Sequence, residues 1–184
     1  RDQFLAAALK NPVNDAIIRA LSALALPDAW LVSGCLVQTV WNGLTGRAAD
    51  YGISDYDVFY FDPDTSWEAE DEVQFTLARA YLDAGRVGRA TPLLRVLAGR
   101  RPDDVACHAR LFDALYLRGR YAEARAMVDA AVARAGAAAP GPLAELAYAA
   151  LDVAERRPAD ALAHLARARD FGADLPELHV LRGE

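Results

Sequence analysis

Asp55-Tyr56-Asp57-Val58-Phe59-Tyr60-Phe61 is the last stretch of the chain that reads as a β-strand. Its aromatic and β-branched residues suit a pleated, half-buried surface. Residues i and i+2 of a strand project to one face, so Asp55 and Asp57 stand side by side, roughly 6–7 Å apart, with Tyr56 and Val58 facing the other way. Two hard oxygen donors so held suit Mg²⁺. Beyond Thr65 the chain is rich in Ala, Leu and Arg at helical spacing, which makes the fold mainly α.

Upstream, a first helix carries Phe4, Leu5, Ala8 and Leu9. Asn11-Pro12 reads as N-cap and first residue of a second helix, whose stripe Ile17, Ile18, Leu21, Leu24, Leu26 runs to Pro27. Ala29 to Ser33 reads as a strand, and Gly34-Cys35 opens a helix marked by Leu36, Val37, Val40, Trp41 and Leu44. Gly34 is expected to carry the sharp exit and a close backbone approach. Strand, Gly turn and helix N-terminus together form an anion site, so Gly34 and Cys35 are the candidate phosphate binders. The Cys35 side chain itself reads as a small buried hydrophobe. Downstream, Asp62-Pro63-Asp64 is a turn, and Thr65-Ser66-Trp67-Glu68 is a capping box that starts a long helix.

Charge is uneven. Residues 1–72 hold 4 basic and 12 acidic side chains, a net −8, and residues 73–184 are +2. Eight acids lie between Asp55 and Glu72, a surface that repels nucleic-acid phosphates unless metal ions intervene. Glu68 to Glu72 read as a solvated, negative helix N-terminus. The 54% apolar fraction is ample for a core, and no apolar run reaches the roughly 18–20 residues that span a bilayer. Cys35 and Cys107 form no C-x-x-C pair, so a reduced cytoplasm is expected. Of the 20 basic residues all but Lys10 are Arg, and with the abundant Ala this points by association to a GC-rich bacterial source.

Gly34-Cys35, the Gln38-Thr39-Val40-Trp41-Asn42 helix, Ile53-Ser54-Asp55-Tyr56-Asp57, Tyr60-Phe61-Asp62 and Ser66-Trp67-Glu68-Ala69-Glu70-Asp71 resemble the nucleotidyltransferase superfamily that includes DNA polymerase beta. Within it the similarity is to small bacterial nucleotidyltransferase-like proteins. The resemblance implies that Asp55 and Asp57 bind Mg²⁺, that backbone N–H groups at Gly34 and Cys35 hold the phosphates of a nucleoside triphosphate, and that transfer is an in-line displacement. Catalytic members carry a third carboxylate on a later strand. No strand-like segment follows Phe61 here, so the sheet is expected to have two strands and the head, residues 1–72, to be incomplete.

Residues 73–184 repeat internally. Tyr81…Gly85…Ala90…Leu94…Pro102 recurs as Leu115…Gly119…Ala124…Val128 at an offset of about 34, then with Arg156 and Ala161 at an offset of about 37. Each unit reads as two antiparallel helices, with Gly85 and Gly119 closing the first and Ala90, Ala124 and Ala161 allowing close approach. Pro92 is expected in a first turn, where it is tolerated, and a further helix is expected near Pro176. This pattern resembles tetratricopeptide repeats. The resemblance implies a stack of hairpins whose first helices line a groove for a protein or peptide, with Arg79, Asp83, Asp113 and Tyr116 on it. The same four would otherwise be ordinary solvated side chains. His108, His164 and His179 lack metal-ligand spacing and read as surface or groove-edge residues.

The whole is thus a mainly α chain: a tetratricopeptide-like helical hairpin solenoid preceded by a small, incomplete α+β nucleotidyltransferase-like head. The helix capped at Thr65 serves both halves, and apolar faces left open by the short head are expected to pack on it. The expected function is protein or peptide binding with an inactive head. The alternative is Mg²⁺-dependent nucleotidyl transfer from a nucleoside triphosphate, with the repeats recruiting the acceptor. A third reading is a composite, a truncated head joined to repeats.

Overall fold

The structure, a computed structural model, describes residues 2–24, 28–136 and 141–171. Pro27, Pro176 and His179 lie outside the described residues. The chain divides into two compact units, residues 1–110 and 111–184. The described helices are α1 (Asp2–Ala8), α2 (Pro12–Leu24), α3 (Gly34–Leu44), α4 (Trp67–Asp83), α5 (Val87–Arg100), α6 (Val105–Leu117), α7 (Tyr121–Ala135), α8 (Pro142–Ala154) and α9 (Pro158–Asp170). None of them is long and apolar enough to cross a membrane. The strands are β1 (Trp30–Val32) and β2 (Asp57–Phe59), paired antiparallel.

In the first unit, α2 starts as its sequence requires. Asn11 Oδ1 accepts from Val13 N at 3.0 Å, and Pro12 takes the first helical position, where its missing N–H costs nothing. Val13, Ile17 and Leu21 bury one stripe of α2, which packs on β1 and α4. Packing of α4 against both α2 and α5 makes it the helix shared by head and first hairpin. Not every open apolar face reaches α4, however. Trp30 and Phe59 on the sheet, and Val37, Trp41 and Leu44 along α3, remain exposed.

The cap of α4 falls one residue later than the capping-box reading. Ser66 is the N-cap, its hydroxyl accepting from Ala69 N at 3.2 Å. The reciprocal Glu at N3 is therefore absent, because N3 is Ala69. Pro92 is also displaced from expectation. It is the sixth residue of α5, not a first-turn residue, so the Gly88 carbonyl loses its i+4 donor. Gly88 and Pro92 are among the residues that line a cleft of about 660 Å³, with Tyr81, Gly85, Arg86 and Arg89.

The hairpin frame repeats closely. Gly85, Gly119 and Arg156 all have positive φ, at 70°, 67° and 59°. Each sits at the centre of a Schellman closure. Arg86 N donates to Tyr81 O at 2.7 Å, Arg120 N to Leu115 O at 2.9 Å, and Arg157 N to Asp152 O at 2.7 Å. The inner bonds match too: Gly85 to Leu82 O, Gly119 to Tyr116 O, and Arg156 to Val153 O. The next helix follows at once, and its fourth residue, Ala90, Ala124 or Ala161, is buried. A small residue there lets α5 close on α4 and α9 on α8.

Candidate functional site

Antiparallel register builds the head site. Trp30 pairs with Phe59, Leu31 with Val58 and Val32 with Asp57. Asp57 therefore sits across from the residue that leads into Ser33-Gly34-Cys35 and the N-terminus of α3. Asp55 lies just outside β2, in extended chain rather than on the strand, but the alternation continues through it. Asp55, Asp57, Phe59 and Phe61 are exposed, while Tyr56, Val58 and Tyr60 are half-buried. Both acids thus share a face, and both act electrostatically on the Cys35 thiol.

The turn itself differs from expectation. Ser33, not Gly34, takes the unusual conformation, at φ 70° and ψ −140°. A non-Gly residue there is strained. Gly34 is already helical in φ, and a β-carbon added to it would meet nothing within 4 Å. The protein's own packing therefore gives no reason for a glycine at 34; the space beside it is open. Ser33 makes no side-chain cap bond to the first turn of α3. Cys35 is buried, and its Sγ lies 3.4 Å from Val32 O. Burial pushes its thiol pKa up, opposed by the Leu36 amide and reinforced by Asp57 and Asp55. It behaves as a small apolar group rather than a nucleophile.

A buried polar knot anchors the acidic segment. Asn11 Nδ2 donates to Thr39 Oγ1 and to the Tyr56 hydroxyl, both at 3.1 Å. Asn14 Nδ2 donates to Ala8 O at 2.9 Å and to Thr39 Oγ1 at 3.2 Å, and the Thr39 hydroxyl donates to Cys35 O at 2.7 Å. The Tyr56 ring also meets Tyr81 edge-on, centroids 6.1 Å apart. With Tyr56 pinned inward, its neighbours Asp55 and Asp57 must project outward. Two arginines at the start of α5 hold the preceding loop: Arg86, its N-cap, pairs with Asp50, and Arg89 Nη2 donates to Ile53 O at 3.3 Å.

The residues present fit a Mg²⁺ ion held by one or two carboxylates plus substrate phosphates. They do not make a closed cage. Among the described residues, no group of three or more His, Cys, Asp or Glu side chains converges to hold a metal.

Of Glu68 to Glu72, read as a solvated helix start, Glu68 and Glu72 are exposed, but Glu70 and Asp71 are tied into the structure. Asp71 is buried against α5, 2.7 Å from Arg100 Nη1 and 3.3 Å from Arg101 Nε. Arg100 also lies over the Trp67 ring, 4.5 Å from its centroid. Glu70 accepts from the Tyr60 hydroxyl at 2.5 Å and from Gln74 at 2.7 Å. That bond raises the Tyr60 pKa to about 12 and lowers that of Glu70.

Residues 19–85 match the family model described as nucleotidyltransferase. Residues 81–141 match the one described as tetratricopeptide repeat. The matches overlap on the last turn of α4 and its closure, the element that the two parts share. No curated protein and no solved structure matches the chain.

The candidate groove residues lie on first helices of the repeats. Arg79 and Asp83 are exposed on α4, in the first unit. Asp113 is exposed on α6, in the second unit, and Tyr116 is half-buried there. The Tyr116 ring stacks on Phe112 at 5.9 Å and meets Tyr121 at 5.4 Å. His164 is not the surface residue expected. Its Nδ1 lies 2.5 Å from buried Glu145 and its Nε2 lies 3.5 Å from buried Asp152. Arg167 completes the Glu145 shell, and Arg125 and Arg157 that of Asp152. Nothing in the spacing of these residues marks the cluster; only its i, i+3 step from His164 to Arg167 is local.

Proposed function

We propose that this chain works by binding. Its tetratricopeptide hairpins bind protein or peptide through their first helices, with Arg79 and Asp83 as the contact residues of the first unit and Asp113 and Tyr116 as those of the second. Its nucleotidyltransferase-like head does not transfer nucleotides. The observation behind the second statement is the acid set: Asp55 and Asp57 are joined by no third carboxylate among the described residues. A two-ion displacement needs charge on both the attacking and the leaving oxygen, and two acids alone supply little of that. Support for the first is the repeated closure together with Tyr116, a half-exposed ring backed by two others, the kind of rigid aromatic anchor on which binding energy concentrates.

The test has two arms. The full chain is screened against a displayed peptide library, and recovered peptides are re-measured on Tyr116→Ala and Arg79→Ala. Loss of affinity of tenfold or more on either variant is expected, and undiminished binding on both refutes the assignment. Separately, pyrophosphate release is followed with each of the four ribonucleoside triphosphates and Mg²⁺. Release that disappears in Asp55→Ala with Asp57→Ala would establish transfer.

That second outcome is the competing reading, and one observation favours it: strand register sets Asp57 beside the α3 N-terminus. Asp55 and Asp57 would then hold Mg²⁺, which when bound polarises phosphate oxygens. The amides at Gly34 and Cys35 would orient the phosphates in the space left open at Gly34.

A further inference from the structure

The sheet of the head is unfinished on two sides. It has two strands of three residues each, and among the described residues neither outer edge pairs with another strand. α2 and α3 pack on β1. Beneath β2, Val58 is only half-buried, whereas its partner Leu31 is buried. The opposite face carries Trp30 and Phe59 as direct cross-strand partners, 60% and 67% exposed, and Phe61 continues the row at 61%. Large aromatics grouped on one face mark a surface that binds something. An open strand edge supplies the backbone donors and acceptors to recruit an extended chain.

The charge pattern says which chain. Along the same face the β2 segment reads Asp55, Asp57, Phe59, Phe61, acidic at one end and aromatic at the other. Residues 1–72 carry a net −8, so a second copy of this head would bring like charge against like. We propose that the open edge of β2 takes a basic, extended polypeptide segment as a third strand. Lysine or arginine side chains lie opposite Asp55 and Asp57, and apolar side chains lie opposite Phe59 and Phe61. Opposite charges and apolar pairs facing each other across a ladder are the unit of sheet stabilisation. The site is separate from the helical groove, so its failure leaves the groove assignment standing.

The experiment uses the full chain and fluorescein-labelled nine-residue peptides in EDTA at low salt, read by anisotropy. The probe has lysine at its second and fourth positions, valine at its sixth and eighth, and threonine elsewhere. Its reversed sequence covers the other strand direction. Binding at least tenfold tighter than that of the glutamate-for-lysine peptide is expected, with tenfold loss in Phe59→Arg. Asp55→Lys with Asp57→Lys should invert the preference towards the glutamate peptide. These side chains are exposed, so far-UV circular dichroism should be unchanged in every variant. Equal binding of both peptides, no binding of either strand direction, or indifference to Phe59→Arg overturns the proposal. Dimerisation in ultracentrifugation that Phe59→Arg abolishes also overturns it, by giving the face to a second copy.

Discussion

Arg156→Gly is expected to stabilise the protein by about 1 kcal/mol, an unusual sign for a substitution. Arg156 occupies, at φ 59°, the left-handed closing position that Gly85 and Gly119 fill in the preceding hairpins. A β-carbon in that conformation costs about 1–2 kcal/mol. Glycine gives back about 0.4–1 kcal/mol through the greater freedom of the unfolded chain. The difference is near 1 kcal/mol, and the exposed Arg156 side chain adds little to it. The mirror substitutions, Gly85→Ala and Gly119→Ala, should each destabilise by about the same amount. An added β-carbon at either meets nothing within 4 Å, so their cost is conformational rather than steric. Urea unfolding followed by ellipticity at 222 nm measures all three. With a slope of about 2 kcal/mol/M, midpoints should move by about 0.5 M, upward for Arg156→Gly and downward for the alanines. A lower midpoint for Arg156→Gly, or an unmoved one for Gly119→Ala, would refute the shared-closure reasoning.

Asp71→Ala should destabilise by about 2 kcal/mol, less than a fully buried pair would lose, because Arg100 can turn to water. The same unfolding curves measure it. Asn11→Ala removes the N-cap of α2 and the donor shared by Thr39 and Tyr56, and should cost about 2–3 kcal/mol. Tyr60 and Tyr148 are both raised to about 12, the first chiefly by its bond to Glu70, the second by burial and then Asp129. A phenol held neutral by the fold contributes stability that is whole below pH 10 and is lost as pH rises through about 12. Absorbance at 295 nm should place Tyr60 and Tyr148 among the late-titrating tyrosines; Tyr60→Phe and Tyr148→Phe should each remove one late step, and Glu70→Gln should bring Tyr60 down.

Local chemistry carried far in this chain. Asn11-Pro12 marks a helix start because a side-chain oxygen and a fixed φ act within two residues. Gly85, Gly119 and the alanines five residues on mark hairpins because a left-handed closure and a close helix approach leave few choices of residue. The placement of Arg156 was legible for the same reason, by its offset from Gly119. Structure and local pattern differ by a residue or a few. Ser66 caps α4 in place of Thr65, Ser33 bends where Gly34 was expected to, and α5 begins early enough to enclose Pro92. In each case neighbouring residues could serve the same local need, and tertiary packing chose between them.

Charges were a different matter. Asp71, Glu145 and Asp152 look in sequence like any acid on a helix, yet all three are buried. For Asp71 and Glu145 the partners Arg100 and His164 lie on the opposite helix of the hairpin, at separations no local pattern encodes, and Asp152 is met by Arg125 on α7 as well as by Arg157 just before α9. The approach of Asp57 to the α3 N-terminus likewise depends on the register of β1 and β2, set by which faces of Leu31 and Val58 find cover. Sequence alone determined the helices, their closures and the pair of acids, since these follow from forces acting over a turn or less. The folded chain decided which acids stay in water and which sink into ion pairs, because burial is a property of what packs on top.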